Sequence, residues 1–168
     1  MTEPVRGSSR AGRLLLVAFL VAAMGTFLWG FWVVGGVRQK ARDTDAALRA
    51  LAWRTLCYHS AAGEWPKSDD SLRTLGEGWL CAAVAAAHEG SPATLEGAMA
   101  GLVPPDSLDS ALRLARIGYA PQGTGVPRID ARGNPSGIGT LGEVNGWLAA
   151  AGGATDHPPT RTGETNPP

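Results

Sequence analysis

The chain begins with a stretch from which polar positions almost vanish. From Leu14 to Val37 no residue carries a charge, and Leu, Val, Ala, Phe, Trp and Gly fill nearly every place. At about 1.5 Å of rise per residue, roughly 20 residues cross a hydrocarbon layer of about 30 Å. The pattern therefore predicts a transmembrane helix over 14–37, preceded by a short basic leader over 1–13. A secretory signal has an apolar region of only about 7–15 residues and then a small-residue cleavage site. This stretch is longer and lacks a good site, so the sequence reads as a retained span. A core helix of a soluble protein is the other source of such a pattern, but roughly 110 patterned residues could hardly surround a helix apolar on every face.

Within the span the aromatic residues Phe27, Trp29, Phe31 and Trp32 gather toward one end. Indole rings favour the boundary of lipid and water, where the N–H stays wet, so these are the expected interfacial aromatics. Ala18, Ala22, Thr26 and Gly30 recur at every fourth position. On a helix they form a low ridge, the expected place of a helix–helix contact inside the membrane.

Beyond the span the period changes. Ala47, Leu48, Leu51, Ala52, Thr55, Leu56, Tyr58, His59 and Ala62 fall at the offsets of one helical face. Arg38, Lys40, Arg42, Asp43, Asp45, Arg49 and Arg54 supply the polar face. No proline interrupts Leu14 to Ala62, which predicts a nearly continuous helix of roughly 45–50 residues, half in lipid and half packed on a domain. It should stop at Gly63-Glu64-Trp65-Pro66, because glycine suits the left-handed position after a helix and proline cannot continue one. Gly63, Trp65 and Pro66 are expected to act as a structural clamp, with the indole folded back toward Leu56 and Tyr58 and covered by Leu72 and Leu75.

Further segments follow. Ser68-Asp69-Asp70 opens a short helix with serine as its N-cap and acids in its first turn. Trp79 to Glu89 is rich in alanine and predicts a helix. Ser91-Pro92 predicts another, through about Ala100. After Pro104-Pro105, a helical turn near Ser107 to Ala111 leads into a strand suggested by Leu112, Leu114, Ile117 and Tyr119, with Val126 to Asp130 as its partner in a β-hairpin. Gly133 to Gly139 is a loop. Leu141 to Ala151, with Val144, Trp147 and Leu148 on one face, is a last helix ending at Gly152-Gly153. The expected fold is α+β and mostly helical, with the soluble domain over 38–153 and a disordered tail rich in proline and threonine over 154–168.

Composition narrows the function more than it defines it. Basic and acidic residues balance at 15 each, so no overall field draws nucleic acid, and no small-molecule substrate is expected. Cys57 and Cys81 are the only cysteines. In an oxidising compartment they can form a disulfide; in a reducing one they stay as buried thiols. A zinc set of Cys57, His59, Cys81 and His88 has the wrong spacing, since positions two apart on a helix do not face each other. His59 and Ser60 with Asp69 or Asp70 lack a nucleophile elbow. Gly133-Asn134-Pro135-Ser136-Gly137-Ile138-Gly139 is followed by no lysine, as a phosphate loop requires. No catalytic residue, metal or cofactor is expected.

The order of parts, a membrane helix running on into an amphipathic helix, then Tyr58, Gly63-x-Trp65-Pro66 and the Leu72/Leu75 helix, resembles type IV pilins and pseudopilins. The resemblance covers about Leu14 to Leu75. It implies an N-terminal helix half in the membrane and half packed on a small sheet. Pilin precursors also carry a glycine before the cleavage site and a glutamate at the fifth mature position. Here Gly12-Arg13-Leu14 is followed by no acid anywhere in the span, so the implied form is a pilin-shaped anchor that does not polymerise as pilins do. The expected partners are membrane lipid and the proteins of a membrane-bound assembly, with the domain outside the cytoplasm and a structural or interaction role as a pilin-like or accessory subunit. The alternatives are a cytoplasm-facing accessory subunit held through the Trp-rich span, and an anchored envelope enzyme. Arg6, Arg10 and Arg13 before the span nearly balance Arg38, Lys40 and Arg42 after it, so charge leaves the orientation open.

Overall fold

One helix carries the chain to Ala62. In the computed structural model, which describes residues 8–76, 78–81, 90–121 and 125–153, α1 runs from Ser8 to Ala62. It stops at Gly63. Gly63 adopts φ +72°, and its N–H donates to the His59 carbonyl at 2.9 Å, the left-handed termination that a side chain would strain. The leader and tail, residues 1–7 and 154–168, lie outside the described residues. Contacts divide the chain into two compact units, Met1–Gln39 and Lys40–Pro168.

In the first unit the apolar side chains stand in the open. Phe27, Phe31 and Trp32 are each more than 70% exposed. The helix is long and apolar enough to cross a membrane.

The second unit is built around its own part of α1. Every residue from Ala46 to Cys57 is buried except Arg49, which is half-buried. Successive helical residues point about 100° apart, so burial at consecutive positions means the helix is enclosed on all sides. This corrects the expectation of a helix with one solvated polar face. Asp45, Arg49 and Arg54 turn into the domain, and only Arg38, Lys40, Arg42 and Asp43 of that set are exposed. Trp53, Leu48, Leu51 and Leu56 fill the centre, joined by Leu72, Ile129, Val144 and Leu148 from the surrounding segments. Each such side chain contributes roughly 1.5–3 kcal/mol on burial.

The surrounding elements are short. Helix α2 spans Asp69–Arg73, and Ser68 caps it by accepting from the Ser71 N–H. Helix α3 spans Leu95–Met99, starting later than Pro92 because Thr94 is the residue whose hydroxyl accepts from Gly97. Helix α4 spans Leu108–Leu114, capped by Ser107. Leu112 and Leu114 are thus helical, not strand residues. Alternate leucines fit either period, and the cap at Ser107 tips them into the helix. Strand β1, Arg116–Gly118, pairs antiparallel with β2, Arg128–Asp130, in the register Arg116↔Asp130, Ile117↔Ile129, Gly118↔Arg128. Both central isoleucines are buried, while Arg116 and Asp130 pair outside at 3.3 Å. Helix α5 spans Thr140–Gly153 and buries Val144, Trp147, Leu148 and Ala151. The described protein is mostly helical with one two-stranded antiparallel sheet.

The alanine-rich segment departs from its propensity at its start. Trp79, Leu80 and Cys81 are not helical. The backbone there is held by tertiary bonds that a helix would break. The Trp53 indole donates to the Trp79 carbonyl at 3.0 Å, and the Trp79 indole donates to Pro105 at 2.5 Å. The remainder of the predicted helix, 82–89, lies outside the described residues, as does His88.

Candidate functional site

The sequence singled out a cysteine pair, a tryptophan clamp and two sets of residues in the span. The structure brings the first two onto the C-terminal turns of α1. Cys57 and Cys81 are joined by a disulfide with Cα atoms 6.1 Å apart, inside the range such a bond spans. Trp65 is 6% exposed and its ring lies flat on His59, with centroids 3.9 Å apart and planes within 5°. The stacking partner is therefore the residue one turn before the helix end. Pro66 beside it is fully buried. A Cβ placed on Gly152 would come within 3.7 Å of Trp65 Cζ2, so α5 also passes against the indole.

The span residues are arranged as the helix dictates. Thr26 donates to the Ala22 carbonyl at 2.9 Å, which turns its hydroxyl back onto the backbone. Trp29 and Trp32 are exposed with Phe27 and Phe31. A shallow groove runs between Thr26, Gly30, Val34 and Arg38, walled by Phe27 and Phe31.

The strongest polar construction is one that the sequence reading placed in solvent. Arg54 is 5% exposed, and its guanidinium donates to the carbonyls of Leu72, Gly76 and Gly78. Leu72 lies in the last turn of α2, where its carbonyl also accepts from the Leu75 N–H at 3.3 Å, and Gly76 and Gly78 follow that helix. Burial lowers the Arg54 pKa, though an arginine remains charged throughout the accessible range. Its cation also faces the Trp79 ring at 5.8 Å. A cavity of about 460 Å³ opens between Arg54, Arg73, Gly78 and Asp109. Arg73 bridges Asp70 at 2.6 Å and Asp109 at 2.7 Å; both bonds raise its pKa, that to Asp109 the more.

Two other polar residues act as fasteners. Arg49 grips Glu143 with both terminal nitrogens, at 3.1 and 2.5 Å, and donates to the Ala98 carbonyl at 3.1 Å, tying α1 to α3 and α5. Asn145 accepts from the Ile129 N–H at 2.8 Å and donates to the Ile129 carbonyl at 3.0 Å, closing the outer edge of β2 as a third strand would. One signal for Arg54 was present: a lone arginine inside the run Leu51-Ala52-Trp53-Arg54-Thr55-Leu56. Asn145 has a similar signal, a single amide within an apolar helix.

The residues considered for hydrolytic chemistry do not converge. His59 is committed to the Trp65 stack, Asp69 accepts from the Tyr119 hydroxyl at 2.5 Å, and Asp70 holds Arg73. Burial, with the Asp69 hydrogen bond second, raises the Tyr119 pKa far above the ordinary phenol value. The Arg132 N–H and then Arg116 hold Asp130 below the usual carboxylate range. Among the described residues no group of three His, Cys, Asp or Glu is placed to hold a metal ion. In the Gly133–Gly139 loop, Gly137 donates its N–H to the Asp45 carboxylate. That amide already faces an anion of the chain itself. Comparisons with protein-family models, with curated proteins and with solved structures each find no match.

Proposed function

We propose that this chain is a single-pass membrane-anchored protein whose small domain lies outside the cytoplasm. There it serves a structural or interaction role, as a pilin-like or accessory subunit of a membrane-bound assembly. The observation that carries the reading is the division of labour along α1. Its apolar stretch leaves Leu, Phe and Trp side chains exposed, whereas its last turns are the core of the domain. Water is a poor solvent for the first part, and a hydrocarbon layer of about 30 Å is a good one. The Cys57–Cys81 disulfide favours the oxidising side of the membrane. Asp45, Arg49 and Arg54 are engaged in fastening other segments to α1, which suits a rigid module that presents a surface.

Carbonate extraction of membranes tests the anchor, with the protein expected in the pellet. A mature N-terminus beyond Val37 and recovery in the supernatant would overturn it. Maleimide labelling of unreduced, denatured protein tests the compartment. Cys57 and Cys81 should be inert until a reductant is added. Reactive thiols, together with a reporter after Pro168 active only in the cytoplasm, would favour the cytoplasm-facing alternative.

A further inference from the structure

We propose that the loop carrying Ile138 is a lipid-contacting element, which together with Lys40 and Arg42 rests the domain on an anionic phospholipid surface. This rests on the membrane-anchor reading. Isolated surface hydrophobics are ordinary and need no account, so exposure alone does not single out Ile138. Its setting does. The side chain is fully exposed between Gly137 and Gly139, and Pro135 beside it is exposed too.

The loop that presents Ile138 is tied down. The Gly137 N–H donates to both carboxylate oxygens of Asp45, at 2.8 and 3.0 Å. A Cβ at Gly137 would lie 2.6 Å from Asp45 Oδ2, so only glycine lets the loop come this close. Thr140, two residues past Ile138, is buried at the start of α5. An apolar side chain is thus held outward by a loop fastened on both sides.

Its point of attachment identifies the occupant. Asp45 follows Val37, the last residue of the apolar stretch, by eight positions. Even fully extended, that length of chain reaches no more than about 28 Å. Lys40 and Arg42 lie on the intervening chain and are exposed. Asp43 is the one other acid on this stretch, and no acid occurs between Asp130 and Glu143. Basic residues beside a span attract anionic headgroups, and an apolar side chain gains by entering the boundary of headgroup and acyl chain. Lys67, just past the end of α1, is engaged by Glu64 at 3.1 Å.

The test uses the full-length protein reconstituted in phosphatidylcholine vesicles containing phosphatidylglycerol. A fluorophore is attached through Ile138→Cys or, as the control, through Lys67→Cys; the native cysteines are occupied by their disulfide. Nitroxide-bearing lipids should quench the probe at 138 about twofold or more while leaving the probe at 67 nearly unchanged. Changing Lys40 and Arg42 to glutamine, or omitting phosphatidylglycerol, should reduce that quenching. Equal, weak quenching at both sites in protein that still resists carbonate would overturn this inference and leave the anchor standing. A disulfide-linked dimer of the unlabelled Ile138→Cys protein, with no quenching of the labelled one, would assign the loop to a second copy of the chain instead. Undiminished quenching in pure phosphatidylcholine would overturn the anionic assignment. Extraction by carbonate would remove the anchor reading, and this inference with it.

Discussion

Replacing Trp65 by alanine is the sharpest perturbation of the arrangement that ends α1. The indole is 6% exposed, stacked on His59, backed by α5 at Gly152 and followed by the buried Pro66. A tryptophan buried to this degree removes roughly 150–250 Å² from water. At about 25 cal/mol per Å² that corresponds to roughly 4–6 kcal/mol. Alanine keeps part of this and leaves a cavity, and measured Trp→Ala changes in cores fall at about 3–5 kcal/mol. For a domain of this size, 1 kcal/mol moves the melting temperature by about 4 °C, so Trp65→Ala should lower it by about 10–20 °C. The assay is near-UV circular dichroism of the full-length protein in mild detergent, because far-UV signal would be dominated by α1. Trp65→Phe retains a ring to lie on His59 and should recover more than half of the loss. A melt within about 3 °C of the parent would show that the indole is not part of the fold's support, and the account of how α1 is stopped would fail with it.

Arg54→Met keeps the length of the side chain but leaves the carbonyls of Gly76 and Gly78 without their donor and Leu72 with only the Leu75 N–H; we expect a loss of about 2–4 kcal/mol in urea unfolding, and Arg54→Lys should restore only part of it because one ammonium cannot span three carbonyls. A Met variant as stable as the parent would show that these carbonyls find water instead. Tyr119→Phe removes the bond to Asp69 and should cost about 1–2 kcal/mol at pH 7. The folded state holds the Tyr119 pKa above its unfolded value of about 10, so this contribution is complete below about pH 10 and is lost as pH rises further. The gap between parent and Tyr119→Phe in urea midpoint should therefore shrink from pH 9 to about pH 11; a constant gap would contradict the raised pKa.

Much of the local structure could be read from the residues. Gly63 and the proline after it end a long helix because no other residue accepts φ +72° so easily. Ser68 and Ser107 open helices because their hydroxyls accept a free N–H of the first turn. The second strand and the last helix lie where alternation and helical period place them, whereas the first strand begins only at Arg116, past the leucines that alternation had given it. The uncharged stretch from Leu14 to Val37 lies wholly within α1, as its apolar run predicts. These are effects that act over a few residues.

What the tertiary structure decided is the fate of the polar side chains on α1. A helical period assumes one buried face, and it assigns Asp45, Arg49 and Arg54 to water. Their partners lie far along the chain: Gly137 for Asp45, Glu143 for Arg49, and the carbonyls from Leu72 to Gly78 for Arg54. No window along the sequence contains both members of these pairs. The same holds for Trp79 to Cys81. Their neighbours favour a helix by propensity worth only tenths of a kcal/mol per residue. The disulfide to Cys57 and the indole bonds to Trp53 and Pro105 act on the same three residues and outweigh it. Local preferences set where helices begin and end. Which of their faces meet water was settled only when distant donors and acceptors came together around α1.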